Sequence, residues 1–102
     1  MFDFMSTYVA GTPHHTTAKY ILTVAHGDVL TLVREPENTH DANAIRVMHG
    51  ENKLGYIPAV IAGVLASLFD HGYVLDATVD HVAPSRLDVT ITLRMEDKIS
   101  KS

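Results

Sequence analysis

A dense polar loop between two apolar strands, within residues 30–47, constrains the fold of this chain more than any other feature. Residues 29–34 alternate between two sets of side chains, which predicts a strand with two distinct faces. The following Pro36 ends that strand, because proline has no N–H to donate to a strand ladder. Since binding sites commonly lie on loops held between strands, we expect a site here. The loop holds six functional candidates within ten positions: Arg34, Glu35, Asn38, His40, Asp41 and Asn43.

Short apolar segments separated by turns predict the rest of the architecture. One helix is expected after the fourth strand, and residues 20–24 leave a helical turn and a short strand open as alternatives. Runs of short strands form small closed or half-closed barrels, so we predict a mainly β (α+β) fold with a barrel of five to six strands. The predicted strands are residues 5–10, 29–34, 44–49, 53–57, 73–82 and 87–94.

The main α-helix is predicted at about residues 58–71. Pro58 suits the first helical position, where its missing N–H costs nothing, and Gly72 is placed to end the helix in a left-handed conformation. Apolar residues recur at helical spacing and are expected to face the core. These residues are Ile61, Val64, Leu65, Leu68 and Phe69.

The same segment is a candidate interaction surface. Residues 54–69 contain no charged side chain, but they are too few for a membrane span, and no membrane partner is expected. A helix that is apolar nearly all round is usually buried on more than one side. We therefore expect the outer face of the helix at residues 59–70, with Ala59, Val60 and Ala66, to bind a second copy in a homodimer or a partner protein.

The composition predicts one small globular domain without disulfides. Of 102 residues, 46% are hydrophobic and 20% are charged, which argues against disorder. We assign residues 1–96 to a single domain and residues 97–102, which lose apolar periodicity, to a C-terminal tail. Cysteine is absent, and the N-terminus lacks the pattern of a signal peptide, so we expect a cytoplasmic location.

The charge and the missing motifs limit the function classes. A net charge of −4 argues against a protein that coats long stretches of nucleic acid, because such proteins are usually basic. A pocket that reads one or two nucleotides needs only a few donors and a stacking surface. No cysteine nucleophile, G-x-S-x-G elbow or phosphate-binding glycine loop occurs. We therefore expect a binding module that is not an enzyme and needs no cofactor.

Five short motifs, in order and spacing, resemble the HIRAN domain. This module occurs in eukaryotic replication-fork remodelling helicases and in bacteria as a stand-alone or nuclease-fused domain; the chain looks like a stand-alone bacterial member. The resemblance implies a small OB-like or SH3-like β-barrel with a helix beside it. The motifs are V-A-G at residues 9–11, G-D-V-L-T-L-V-R-E-P at 27–36, N-x-x-D-x-N-A-I-x-V at 38–47, L-G-Y-I-P at 54–58 and I-A-x-x-L-A-x-L-x-D-x-G at 61–72.

The resemblance also implies recognition of single-stranded DNA at its 3′-hydroxyl end, in DNA repair or processing. In the family, a tyrosine pair after the first strand and a tyrosine–aspartate step in the loop form the pocket. Carried over, the pair becomes His14-His15 and the loop tyrosine becomes His40, while Asp41 and Asn43 are kept. The rings would stack on bases, as histidine also can, and the aspartate would accept a hydrogen bond from the terminal hydroxyl.

Basic residues near the loop are candidate phosphate contacts. Arg34 and Arg46 flank the loop from its two strands, where they would suit a phosphate at a strand end. Lys19 is a weaker candidate in the same neighbourhood. The alternative for Arg34 is an ion pair with Glu35 or another surface acid.

Other roles remain open for several of these residues. Asp41 can hydrogen-bond its own backbone in an Asx turn, and Asn43 can simply shape the loop. The histidines His14, His15 and His40, with Asp41, could hold zinc or nickel, or they could be ordinary exposed loop residues. Tyr56 is expected in the core more than at a ligand, and the neighbouring Gly55 is expected where another backbone approaches closely.

Three hypotheses therefore stand. The first is a non-enzymatic module that binds single-stranded DNA ends through His14, His15, His40 and Asp41. The second is a protein-interaction module that has lost DNA binding and uses the uncharged helix. The third is a metal-dependent hydrolase built on the histidines.

Overall fold

The computed structural model describes residues 1–96, so the tail predicted at residues 97–102 lies outside the described residues. The described chain forms one antiparallel sheet with one main helix and several short helical segments, and the predicted fold class is confirmed. In chain order the elements are β1 (Phe2–Tyr8), α1 (Thr12–His15), α2 (Ala18–Ile21), β2 (Val29–Arg34), β3 (Ile45–His49), β4 (Asn52–Tyr56), α3 (Ala59–Asp70), β5 (Val74–Ala83), a 3-10 turn (Pro84–Arg86) and β6 (Asp88–Glu96).

The six strands form a sheet whose two edges meet at one point. The strand order is β1-β6-β5-β2-β3-β4, and every pair is antiparallel. Beyond the end of β1, the backbone of Ala10 exchanges two hydrogen bonds with Tyr56 on β4, at 2.7 and 2.9 Å. Among the described residues this isolated bridge takes the place of a full strand pairing, so the barrel is half-closed.

Gly55 makes the bridge possible because it leaves room for the neighbouring backbone. A Cβ atom at this position would collide with the carbonyl oxygen of Ala10 and would lie 2.9 Å from Cγ1 of Val9. A glycine inside a strand often marks such a close approach of two backbones. The prediction made for Gly55 is therefore confirmed.

The buried core contains side chains from strands β2 to β6, from α2 and from α3. In β2 the side chains of Leu30 and Leu32 are buried while Val29 and Thr31 are exposed, so the predicted two-faced strand is confirmed. Each large apolar side chain that is fully buried contributes about 1.5–3 kcal/mol relative to an exposed one. The largest fully buried side chains are Ile21, Leu30, Ile45, Leu54, Leu65, Ile91, Leu93, Val47, Val79 and Val89.

The main helix, α3, begins and ends close to the predicted positions. Pro58 is the N-cap residue of α3, whereas the sequence predicts it as the first helical residue, so the helix begins one position later than predicted. The carbonyl of Pro58 accepts hydrogen bonds from backbone N–H groups of the first turn. At the other end Gly72 has a φ of +92°, and the N–H of Tyr73 donates to the carbonyl of Leu68 at 3.0 Å. This is the left-handed C-terminal motif expected for Gly72. No helix within residues 1–96 is both long and apolar enough to cross a membrane.

The buried face of α3 differs from the predicted one. Ala62, Leu65 and Ala66 are buried, whereas Val64, predicted to face the core, is 62% exposed. Ala66, predicted on the outer face, is only 2% exposed, and Val60 is 90% exposed as expected for that face. Because this helix is apolar nearly all round, its spacing does not select one side.

Two boundaries near the N-terminus were also predicted wrongly. The first strand begins at Phe2 instead of residue 5, because β1 is an edge strand exposed at most positions and its sequence has no clear alternation. Residues 14–19, which belong to no predicted strand or helix, contribute to α1 and α2. The Thr17 hydroxyl caps α2 by accepting from the N–H of Tyr20 at 3.1 Å. Of the two alternatives left open for residues 20–24, a helical turn or a short strand, the structure shows the helical turn.

Candidate nucleic-acid interface

A cleft of about 400 Å³ opens beside the bridge that joins Ala10 to Tyr56. One wall is the polar loop between β2 and β3, and the other is formed by the end of β4, the start of α3 and α1. Its volume lies in the range of small-molecule sites. The lining residues are Ala10, His15, Asn38, His40, Asp41, Ala44, Tyr56, Ile57 and Ala59. We call this space the main cleft.

Asn38 holds the polar loop in shape. Its side-chain oxygen accepts hydrogen bonds from the backbone N–H groups of His40, at 2.8 Å, and Asp41, at 3.1 Å. Its side-chain nitrogen donates to Glu35 Oε1 at 2.9 Å. Asn38 therefore fixes the backbone that carries His40 and Asp41 to the main cleft.

Asp41 combines a structural bond with spare acceptor capacity. Its Oδ1 accepts from the backbone N–H of Asn43 at 2.9 Å, which is the Asx turn that sequence analysis allowed. The backbone carbonyl of Asp41 accepts from Ala44 N–H at 3.0 Å, which closes the turn. Within residues 1–96 its Oδ2 has no hydrogen-bond partner. A carboxylate oxygen of a half-buried aspartate in a cleft can accept a hydrogen bond from a ligand hydroxyl.

Glu35 is the anchor beneath the loop. Its side chain is 13% exposed, and its two oxygens accept from Asn38, from the Tyr56 hydroxyl at 2.9 Å and from Arg46 Nη1 at 2.8 Å. Burial alone raises the pKa of Glu35, but the hydrogen bonds from Asn38 and Tyr56, with the charges of Arg46 and Lys53, hold its pKa below the ordinary value. The carboxylate is therefore ionised at neutral pH and ties the loop to β4.

Tyr56 forms an aromatic wall of the main cleft. The His15 ring meets the Tyr56 ring edge to face, with centroids 5.3 Å apart and an interplanar angle of 71°. Lys53 Nζ donates to the Tyr56 hydroxyl at 3.0 Å and lies 4.6 Å from the ring centroid. Burial, then the positive charges of Lys53 and His14, lower the pKa of His15. A neutral imidazole next to a fixed phenol ring is suited to stack on a planar ligand.

The structure brings together three of the predicted site residues. His15, His40 and Asp41 line the main cleft from two separate segments of the chain. His14 lies beside His15, with ring centroids 6.5 Å apart, but it does not line the main cleft. The predicted ligand contacts of these residues stay predictions.

The remaining predicted residues lie outside the lining. Arg34 donates two hydrogen bonds to the carboxylate of Asp70, at 3.0 and 3.3 Å, and a third to the carbonyl of Ala42. In the structure Arg34 therefore forms the ion pair that sequence analysis gave as the alternative to a phosphate contact, and its partner is Asp70. Arg46 pairs with the half-buried Glu35. Asn43 lies outside the main cleft, with its amide against α3 near Gly63.

The histidines do not form a metal site. Among the described residues, no group of three or more histidine, aspartate or glutamate side chains is arranged to hold a metal ion. Within residues 1–96 the structure therefore does not gather the ligands that the third hypothesis requires.

Sequence reasoning missed several cleft residues. Asn38 begins the matched N-x-x-D motif, and this position could have marked it as the residue that holds the loop. Tyr56, expected mainly in the core, is half-buried and lines the main cleft. No sequence pattern marks Ala10 and Ile57 as cleft residues. These apolar side chains lie beside the loop because of the bridge between Ala10 and Tyr56.

A half-closed barrel with a cleft beside its closing bridge defines a small β-domain built to bind a ligand. The family model of the HIRAN domain matches residues 2–100 of the sequence. The chain therefore belongs to the HIRAN family, a family of nucleic-acid-binding domains, and the resemblance found in its motifs is confirmed. A HIRAN domain by itself is a binding module without catalytic activity.

Individual relatives agree with this assignment. The chain is 34% identical over 74 residues to the Fanconi-associated nuclease 1 homolog of Oryza sativa subsp. japonica, and the match covers 69% of this chain and 7% of the rice protein. The chain thus spans a small part of that relative.

Two solved structures have the same fold. A protein from Lactobacillus plantarum has a TM-score of 0.85 and 28% identity, with 92% of this chain and 94% of that one covered. The HIRAN domain of human HLTF has a TM-score of 0.69 and 23% identity, with 87% and 73% covered. The likeness to the human domain concerns the fold alone.

Proposed function

We propose that this domain binds the 3′ end of single-stranded DNA in the main cleft and serves DNA repair or processing. The observation that carries this proposal is the spare Oδ2 of Asp41 on the lining of an otherwise largely apolar and aromatic cleft. A terminal nucleoside matches these two features, because it presents a planar base and a sugar hydroxyl that can donate. The domain acts without catalysis, and a cytoplasmic location stays a prediction.

The walls of the main cleft suit one base more than a long strand. Ala10, Ile57 and Ala59 offer an apolar surface, and the rings of His15 and Tyr56 stand beside it. Stacking of a base on an aromatic side chain contributes about 1–3 kcal/mol. With a net charge of −4, the protein gains little from long-range attraction to phosphates. We therefore expect short oligonucleotides to bind nearly as well as long ones.

Asp41→Asn is expected to abolish the preference for a free 3′ hydroxyl. The amide of asparagine keeps an oxygen for the Asn43 N–H, so the turn persists, but its NH₂ group replaces the second carboxylate oxygen. A hydrogen bond to a charged acceptor contributes about 1.5–3 kcal/mol, which corresponds to at least about tenfold in affinity. Fluorescence anisotropy with oligonucleotides ending in a 3′ hydroxyl or a 3′-deoxy sugar measures the preference.

Asp41→Ala serves as the comparison, because it removes the Asx turn as well as the acceptor. It is expected to weaken binding of both oligonucleotides, whereas Asp41→Asn weakens only the one with the hydroxyl. A variant Asp41→Asn that still prefers the 3′ hydroxyl as strongly as the native protein would exclude Asp41 as the acceptor.

A second candidate function is protein interaction through the outer face of α3. Its support is the exposure of two apolar side chains one turn apart, Val60 at 90% and Val64 at 62%. Exposed apolar patches of this kind are common at interfaces. A homodimer through this face predicts dimeric sedimentation at high protein concentration and a monomer for Val60→Asp. Monomeric sedimentation of the native protein at high concentration would argue against the homodimer.

A further inference from the structure

A second, smaller cleft lies on the other side of His15. Its volume is about 200 Å³, and its lining residues are His15, Thr16, Thr17, Tyr20, Asn52 and Lys53. We call it the side cleft. His15 belongs to both linings, so the two clefts are separated by one side chain.

The side cleft differs from the main cleft in its chemistry. Among the described residues that line it, there is no carboxylate, and the side chains are hydrogen-bond donors: an ammonium, an amide, an imidazole and three hydroxyls. The main cleft instead has the carboxylate of Asp41. Donors without a carboxylate favour an anion, whereas a carboxylate favours a donor such as a hydroxyl.

Several donors of the side cleft are free. The hydroxyl of Thr16 has no partner within residues 1–96, and that of Thr17 accepts from Tyr20 N–H but has no acceptor for its own proton. Lys53 uses one of its three N–H groups on the Tyr56 hydroxyl. These groups are available to a phosphate oxygen.

Tyr20 holds the backbone segments that carry these donors in place. Its hydroxyl lies 2.6 Å from Nδ1 of His49 and accepts from Asn52 at 3.2 Å. His49 Nε2 in turn lies 2.9 Å from Asp28 Oδ2. These bonds fix α2 to the turn between β3 and β4, so the donors need no large rearrangement to meet a ligand.

Lys53 connects the two clefts. Its ammonium lies 4.6 Å from the centroid of Tyr56, a ring that lines the main cleft, while Lys53 itself lines the side cleft. A nucleotide chain continues from a sugar to a phosphate, so a sugar held in the main cleft has its 5′ phosphate nearby. Glu35, a carboxylate on which the charge of Lys53 acts, is already bonded to Tyr56 and Arg46.

We propose that the side cleft binds the phosphate that links the last two nucleotides, with Lys53 as its cation and Thr16 and Thr17 as hydroxyl donors. This inference rests on the proposed function, since it needs the terminal nucleoside in the main cleft. It assigns the charge-dependent part of binding to the side cleft and the hydroxyl-dependent part to Asp41. The smallest complete ligand is then a terminal nucleotide that keeps its 5′ phosphate.

Replacing one linkage tests the inference directly. A five-nucleotide thymidine strand with a 5′ fluorophore is compared with the same strand in which a neutral methylphosphonate replaces the last linkage. The native protein is expected to bind the neutral strand about fivefold more weakly, as for a partly exposed ion pair. Lys53→Met is expected to lose most of this difference, because the cation that senses the charged linkage is gone while the hydroxyl donors remain.

Lys19→Met is the matched control. Sequence analysis named Lys19 as a weaker candidate for phosphate contact, but the structure places it on α2 between two lining residues, and it lines neither cleft. The proposed phosphate site therefore does not include it. The variant Lys19→Met removes the same charge as Lys53→Met, and it is expected to keep the native preference for the charged linkage. Thr16→Val, which is close in volume, provides a second test if Lys53→Met does not fold, and it is expected to reduce that preference.

The outcomes separate this inference from the proposed function. Equal binding of both strands by the native protein, an unchanged preference in Lys53→Met, or an equal loss in Lys19→Met would each overturn the phosphate site. In those cases a preserved preference for the 3′ hydroxyl leaves the proposed function standing. Failure of every strand to bind overturns both.

Discussion

Gly55→Ala is expected to lower the free energy of unfolding by about 3 kcal/mol. The new methyl group would collide with the carbonyl oxygen of Ala10 and lie 2.9 Å from Val9 Cγ1, and a backbone atom cannot move aside as a flexible side chain can. Overpacking costs about 1–3 kcal/mol, and each of the two bridge hydrogen bonds that must open contributes about 0.5–1.5 kcal/mol more. Urea unfolding of the native protein and the variant measures the difference.

Gly50→Ala is the control for this substitution. Gly50 has a φ of +61° in the turn after β3, but no atom apart from those of its chain neighbours lies within 4 Å of the position of its Cβ. Alanine at this position is expected to lower the free energy of unfolding by about 1–2 kcal/mol, because of the left-handed backbone alone. If Gly55→Ala proved no more destabilising than Gly50→Ala, the close approach of Ala10 to β4 would be contradicted.

Glu35→Ala is expected to lower the free energy of unfolding by about 2–3 kcal/mol. The substitution removes the acceptor of three side chains and leaves the guanidinium of Arg46 without its partner, and breaking such a pair costs about 3–5 kcal/mol when it is fully buried. The lower figure allows for the 34% exposure of the Arg46 side chain. Thermal or urea unfolding at pH 7 measures the loss.

The effect of Glu35→Ala should depend on pH. The pKa of Glu35 is lower in the folded protein than its ordinary value of 4.5, so its contribution to stability is fully present above that value. The contribution is lost as the pH falls through the lowered pKa. The difference in stability between the native protein and the variant should therefore shrink in acid. A difference that grew as the pH fell would contradict an ionised, hydrogen-bonded Glu35.

Much of the fold follows from local signals in the sequence. Pro58 and Gly72 delimit α3 because both act through their own backbone geometry, and β2 was readable because one of its faces is buried and the other exposed. The rotation of α3 was not readable, since an apolar residue such as Val64 gives the same signal whether it faces the core or the solvent. The start of β1 was missed because an edge strand exposed on both faces has no alternation.

The site was readable only in part. The loop with His40 and Asp41 is contiguous in sequence, so its polar density and its family motif identify it. The opposite wall arises from contacts between distant segments, such as the bridge between Ala10 and Tyr56. The partner of Arg34 is likewise distant, because Asp70 lies 36 positions further along the chain. Such contacts depend on how the sheet curls, and no local pattern predicts them.

Histidines stand at the positions where the resemblance to the family implies tyrosines, so the rings available for stacking in this site are imidazoles. His15 retains an edge contact with Tyr56, and His40 lines the opposite wall. The proposed function assigns the hydroxyl acceptor to Asp41, so it makes recognition of an end depend more on this one carboxylate than on a large aromatic surface. End preference is therefore the central property of the proposed function.

The most direct test is one equilibrium titration of the unaltered protein. Two thymidine pentanucleotides with the same 5′ fluorophore, one with a free 3′ hydroxyl and one with a 3′ phosphate, are titrated under identical salt conditions. We predict that the free end binds at least about tenfold more tightly, because the phosphate removes the donor and places a negative charge next to Asp41. Equal affinity for the two strands, or tighter binding of the phosphate end, would contradict end recognition in the main cleft.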